Sequence, residues 1–114
     1  MTAAAVVDVV DLNVISHNQP FPGIHEYTMK IEAEVNLPST HSVMMGDPEG
    51  VITNQTTGNN MGPYTLINVS GNQYESSVIS IWSASPGDTL IANVTARWMT
   101  PGEGNKDSAP ETLP

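Results

Sequence analysis

The chain has 114 residues, no cysteine, and 12 acidic side chains against 3 basic ones, for a net charge of −9. That length fits one domain able to bury a core without staples, and the missing cysteine excludes disulfides and thiolate metal sites. Three scattered cations, Lys30, Arg97 and Lys106, cannot displace the counterions of a nucleic acid or hold an anionic membrane surface.

The opening stretch MTAAAVVDVVDLN has no cationic n-region, and Asp8 and Asp11 interrupt its apolar run. It is not read as a signal peptide, and no run reaches the ~20 apolar residues of a membrane-spanning helix. A chain made in the cytoplasm is expected. Residues 6–15 are rich in β-branched side chains and predict a strand, although Asp8 and Asp11 would also share a helix face. Residues 17–24 predict a loop, because Pro20 and Pro22 remove ladder donors. In 25–37, HEYTMKIEAEVNL, one alternate set is apolar (Tyr27, Met29, Ile31, Ala33, Val35, Leu37) and the other polar. At two residues per repeat the apolar set falls on one face, which predicts a long strand with one wet face. HSVMM (41–45) and VIT (51–53) flank Asp47-Pro48-Glu49-Gly50, a type I turn pattern that predicts a hairpin. Residues 55–63 predict a polar loop, of the kind that often carries function. Strands follow at 64–69, 74–84 and 89–99, with SGNQ and SPGD as turns. Read alone, TPGEGNKDSAPETLP is a disordered tail.

About seven strands and no helix predict an all-β fold, a single antiparallel β-sandwich of jelly-roll or immunoglobulin-like type. Its parts would be an N-terminal strand and extended arm (1–24), a sandwich core (25–100) and a polar C-terminal tail (101–114). If Val69 pairs with Tyr74 and Ala84 with Thr89, one face collects Tyr64, Leu66, Ile79, Ile81, Leu90, Ala92, Val94 and Trp98, an ordinary core face. The opposite face collects Ile67, Val69, Tyr74, Val78, Trp82, Ile91 and Met99, mixed with polar residues and Arg97. A sandwich buries one face of a sheet, so this second, half-apolar face is a candidate subunit interface. Aromatics, Met and Arg are the types enriched at interface cores.

Signals for catalysis are weak. There is no nucleophile elbow, no phosphate-binding glycine loop and no metal-spaced histidine pair. His17, His25 and His41 fall near strand ends, and His25 and Glu26 would point to opposite sides of a strand. No cofactor or metal is expected, although Asp47 and Glu49 could be weighed as calcium ligands. Glu32 and Glu34 share a strand face roughly 7 Å apart, within range of a glycosidase pair, but a solvated acidic face explains them. Asn54, Asn68 and Asn93 begin glycosylation sequons, which go unused in a chain that is not exported.

Small size, no cysteine, no export signal, few Lys and Arg, and polar termini make the whole chain resemble the small acidic all-β cement, or decoration, proteins on tailed-phage heads. That resemblance implies a virion-surface structural protein, bound to capsid subunits or to copies of itself as a homo-oligomer, and not an enzyme. A second, local resemblance lies in Asn54-Gln55-Thr56-Thr57-Gly58, which is similar to the Asn-Pro-Thr-Thr-Gly loop of chagasin-type cysteine-protease inhibitors. Arg97-Trp98 echoes that family's Arg-Pro-Trp loop. Both stretches lack the family's proline. This likeness implies an alternative, a monomeric immunoglobulin-like inhibitor binding through loop 54–62 with Asn54, Thr56, Thr57, Asn59 and Asn60.

Overall fold

In the computed structural model, which describes residues 7–36, 46–98 and 102–114, the chain is all-β with no helix among the described residues. The described residues form nine strands: β1 Val7–Phe21, β2 Ile24–Val35, β3 Glu49–Asn54, β4 Asn60–Ser70, β5 Gln73–Ser76, β6 Ile79–Ile81, β7 Thr89–Trp98, β8 Gly102–Asp107 and β9 Glu111–Thr112. All pairs are antiparallel, in the order β1-β2-β5-β4-β3-β7-β8, with β6 beside β2 and β9 beside β7. The sheet curls until it is nearly closed as a barrel. At the seam, the Lys106 Nζ of β8 donates to the Asp8 carbonyl of β1 at 2.6 Å. Two packed, separate sheets are therefore not the organising feature, and the strand count exceeds the seven expected. No helix among the described residues is long and apolar enough to cross a membrane.

The alternation in β2 works as its sequence predicts. Tyr27, Met29, Ile31, Ala33 and Val35 are buried, while their polar neighbours are half-buried on the outer wall. β7 repeats the pattern with Leu90, Ala92, Val94 and Ala96 inside. Residue Leu37, the expected strand 41–45 and Met99 lie outside the described residues.

β4 makes the curl possible by serving two partners. Its residues 60–65 pair with β3, and 66–70 pair with β5. Gly50 lies where the wall is tightest, since a Cβ there would stand 2.7 Å from Ile31 Cδ1. This corrects the expected turn at 47–50. Pro48 is buried with its carbonyl accepting from Leu66 N at 2.8 Å, and Glu49 and Gly50 are already strand, paired to both β4 and β7.

Three other expectations change for local reasons. Residues 17–24 are not a loop: β1 and β2 continue as a hairpin through them to a Pro22-Gly23 turn with Gly23 at φ 78°, the type II pattern. Pro20 is absorbed by a register shift between Asn18 and Phe21, where a missing donor is harmless. Stretch 74–84 is two strands. β2 pairs Glu32 with Glu75 but Tyr27 with Ile81, so one extra residue bulges between β5 and β6. Ile31 N donates there to Ser76 Oγ at 3.0 Å, and Ser76 Oγ donates on to the Ser77 carbonyl. Finally, residues expected to be a disordered tail form β8 and β9 on β7. Ala92 N bonds Ser108 Oγ, and Leu113 is buried in the core. Backbone pairing, and not side-chain hydrophobicity, orders this segment. In β8 the positions facing the core opposite Trp98 and Ala96 are Gly102 and Gly104.

A candidate docking cleft in the barrel wall

The bulge at 76–78 opens the wall. Leu66–Ser76 is the last pair joining β4 to β5, and from Thr65 back β4 pairs, among the described residues, with β3 only. Among the described residues β6 pairs with β2 only. The facing sides of β4 residues 60–65 and β6 therefore carry no ladder to each other. A cleft of about 330 Å³ lies there, lined by Pro63, Tyr64, Thr65, Ile67 and Ser76–Ile79. Ile67 and Val78 stand at its mouth, 58% and 56% exposed. Tyr64 packs against the core behind them, and Ser83 Oγ reaches Met61 Sδ at 3.8 Å beyond the end of β6.

Trp82 follows β6 and is 51% exposed. Its Nε1 donates to Ser80 Oγ at 3.0 Å, and Ser80 Oγ donates to Glu26 Oε2 at 2.9 Å. This relay fixes the indole on the outer wall while leaving much of its area in water. A side chain so placed offers apolar area at little further ordering cost on binding.

The surroundings are acidic. Asp11, Glu32, Glu75 and Ile67 form one lateral row across β1, β2, β5 and β4. Lys30 Nζ sits 3.3 Å from Glu75 Oε1, Arg97 Nε 2.8 Å from Glu103 Oε2, and Lys106 bonds the Asp8 carbonyl. Each of the chain's three cations thus has an acceptor of its own, and the outer field is negative.

The expected interface residues do not form one face. Ile67 and Val78 meet at the cleft, Trp82 is exposed after the end of β6 and is not part of the cleft's lining, and Val69 lies exposed further along β4. Tyr74 is on the core side, opposite Ala33, because the bulge reverses the alternation; a shift of one residue exchanges the two faces of a strand. Ile91 and Arg97 are on β7, with β3 between them and β4. The assumed 74–84/89–99 hairpin does not exist, since β6 pairs with β2 and β7 with β3. Of the other lining residues, the sequence assigns Tyr64 to the core face and Pro63 to the 55–63 loop, and it gives Thr65 and Ser77 no role. The available signals were Ser76-Ser77 inside an apolar run and Gly62-Pro63 beside a strand.

The loop residues divide as well. Thr56, Thr57 and Asn59 are exposed in a tight turn, and Asn60 opens β4. Asn54 is buried: its Oδ1 accepts from Thr56 N and Thr57 N, and its Nδ2 donates to Asp88 Oδ2 at 2.9 Å. Asp88 also accepts from Ser85 N, and its carbonyl accepts from Leu113 N at 2.8 Å. The Asn54 bond, then the Ser85 bond, hold the Asp88 carboxyl below the usual carboxylate range against the opposing effect of burial. Nearby, burial and then the Asp88 charge push the Tyr27 phenol up, and its OH donates to the Pro114 carbonyl. Asn54 is at the Leu90 end of β7 and Arg97 near the other, roughly 23 Å away by strand rise. The two stretches that resemble the protease inhibitors therefore sit at opposite ends of the barrel.

Comparison with protein-family models, curated proteins and solved structures finds no match to this chain.

Proposed function

We propose that the chain is a binding protein of the capsid-decoration kind, which braces a shell by docking on its protein subunits through the β4–β6 cleft. The observation that carries this reading is the coincidence of two strand sides that carry no ladder among the described residues with Ile67 and Val78 exposed at them, and Trp82 exposed just after β6. Strand sides without a ladder accept an extended segment through main-chain bonds, and flanking pockets select its side chains. Covering Ile67, Val78 and Trp82 contributes about 1.5–3 kcal/mol each before ordering costs. The molecule extends 54 × 24 × 17 Å, so its broad side can supply the ~800 Å² per partner of a standard interface. The negative field favours a neutral or basic receptor surface over a second copy set acid face to acid face. Copies bound at repeated shell positions would raise the shell's resistance to disruption by mass action.

The test is add-back to phage heads assembled without this coding sequence. Wild-type protein should co-sediment with the heads and raise the temperature at which they release DNA. Ile67→Ser with Trp82→Ser should remain in the supernatant while keeping the wild-type circular dichroism spectrum. Wild-type protein that stays in the supernatant, or a double variant that binds equally well, refutes the reading.

A further inference from the structure

The projecting end of the β1–β2 hairpin holds a second feature, independent of the cleft. Tyr27 stands opposite His17, and His25, two residues before Tyr27, shares its face. The register shift at Asn18/Phe21 places the two imidazoles side by side. His17 Nε2 and His25 Nδ1 are 2.8 Å apart, and His17 stacks on Tyr27 with centroids 4.3 Å apart and planes 10° apart. Tyr27 is itself fixed by burial and by its bond to Pro114. Glu26 points to the other face, where it accepts from Ser80.

We propose that His17 and His25 form a two-histidine chelate for a divalent transition-metal ion, Cu²⁺ foremost. Metal–imidazole bonds are about 2.0–2.1 Å long, so two ligands at a right angle are about 2.8–3.0 Å apart and two at the tetrahedral angle about 3.3–3.4 Å. The two nitrogens already lie within hydrogen-bond reach at 2.8 Å, so a small in-plane turn of either ring brings them to a chelating spacing, and the usual affinity order for imidazole sites, Cu²⁺ above Ni²⁺ and Zn²⁺, sets the preference. In the free protein one imidazole donates to the other. On metal binding, the donor ring moves that proton to its other nitrogen through solvent, and both lone pairs then face the ion. The pivot lies within the ring plane, so His17 stays on Tyr27. His17 is exposed and His25 half-exposed, which leaves the remaining coordination positions to water. A bound ion would clasp β1 to β2 next to Pro20, where the ladder is interrupted.

The experiment is calorimetric titration of the full chain with CuCl₂, NiCl₂ and ZnCl₂ in a non-coordinating buffer at neutral pH. Electron paramagnetic resonance of the Cu²⁺ complex accompanies it. One equivalent of Cu²⁺ should bind more tightly than Ni²⁺ or Zn²⁺, with two imidazole nitrogens resolved in the spectrum. His17→Gln or His25→Gln should each weaken Cu²⁺ on the order of 100-fold, the advantage of a second linked ligand. His41→Gln should match the wild type. No binding, an affinity unchanged in both His17→Gln and His25→Gln, or a spectrum showing oxygen ligands alone overturns the proposal.

Discussion

Removing the Asp88 carboxylate tests how the barrel's end is held. Asp88→Ala takes the acceptor from the Nδ2 of Asn54, a residue 1% exposed whose Nδ2 has no other hydrogen-bond partner among the described residues, and from Ser85 N, which can turn to water. One buried orphan donor, together with the lost charge-assisted bond, costs about 2–3 kcal/mol. With an unfolding entropy of about 2.1 cal/mol/K per residue, 114 residues turn that into a fall in Tm of about 8–12 °C. The pH dependence follows from the lowered carboxyl. Asp88 contributes its full stability above the unfolded pKa of about 3.9 and loses it as pH falls through the lower folded value. Urea titrations followed by tryptophan fluorescence should therefore give a constant gap between wild type and Asp88→Ala from neutral pH to about pH 4, narrowing below it. Asn54→Ala should be less than additive with Asp88→Ala, because both break one contact. A gap under ~0.5 kcal/mol at neutral pH, the ordinary size of a surface change, would refute the reasoning, as would one that persists in strong acid.

Leu113→Ala should cost about 2–5 kcal/mol by the usual large-to-small penalty, since Leu113 is buried in the core beside β7; a chemical melt within experimental error of wild type would mean the last strand is ornamental. Tyr27 should ionise above the usual tyrosine range in an ultraviolet titration, because burial and Asp88 raise it. That group stabilises the fold fully below the unfolded value near 10 and ceases to do so as pH rises through its raised value, so Tyr27→Phe should blunt alkaline unfolding.

Periodicity made the interior legible wherever core-facing positions carry apolar side chains. Met29, Ile31, Leu66, Ile79, Leu90 and Val94 are all inside and all fall on the alternate sets read from sequence. β8 was illegible because its core-facing positions carry Gly102 and Gly104, so no alternation betrays it. Tyr74 was put on the wrong side because a one-residue bulge leaves no mark in composition. Ile91 and Arg97 were grouped with Trp82 by supposing that neighbours in sequence pair, whereas β7 takes β3 as its partner, some forty residues upstream. The outward character of Ile67, Val78 and Trp82 could be read directly. The cleft that Ile67 and Val78 line could not, because it arises from where two strands part.

The bond between Lys106 and the Asp8 carbonyl also has a meaning in time. β1 emerges from the ribosome well before β8, and at 5–20 residues per second the 95 positions between Val7 and Gly102 correspond to about 5–20 s. Until then the outer flank of the first strand, which pairs only with β2 among the described strands, lacks even this bond across the seam and is open to any passing chain. Asp8 and Asp11 along that strand, and Pro20 near its far end, are residues of the kind that discourage mispairing. The same acidity that marks the finished surface thus guards the chain before its ring can shut.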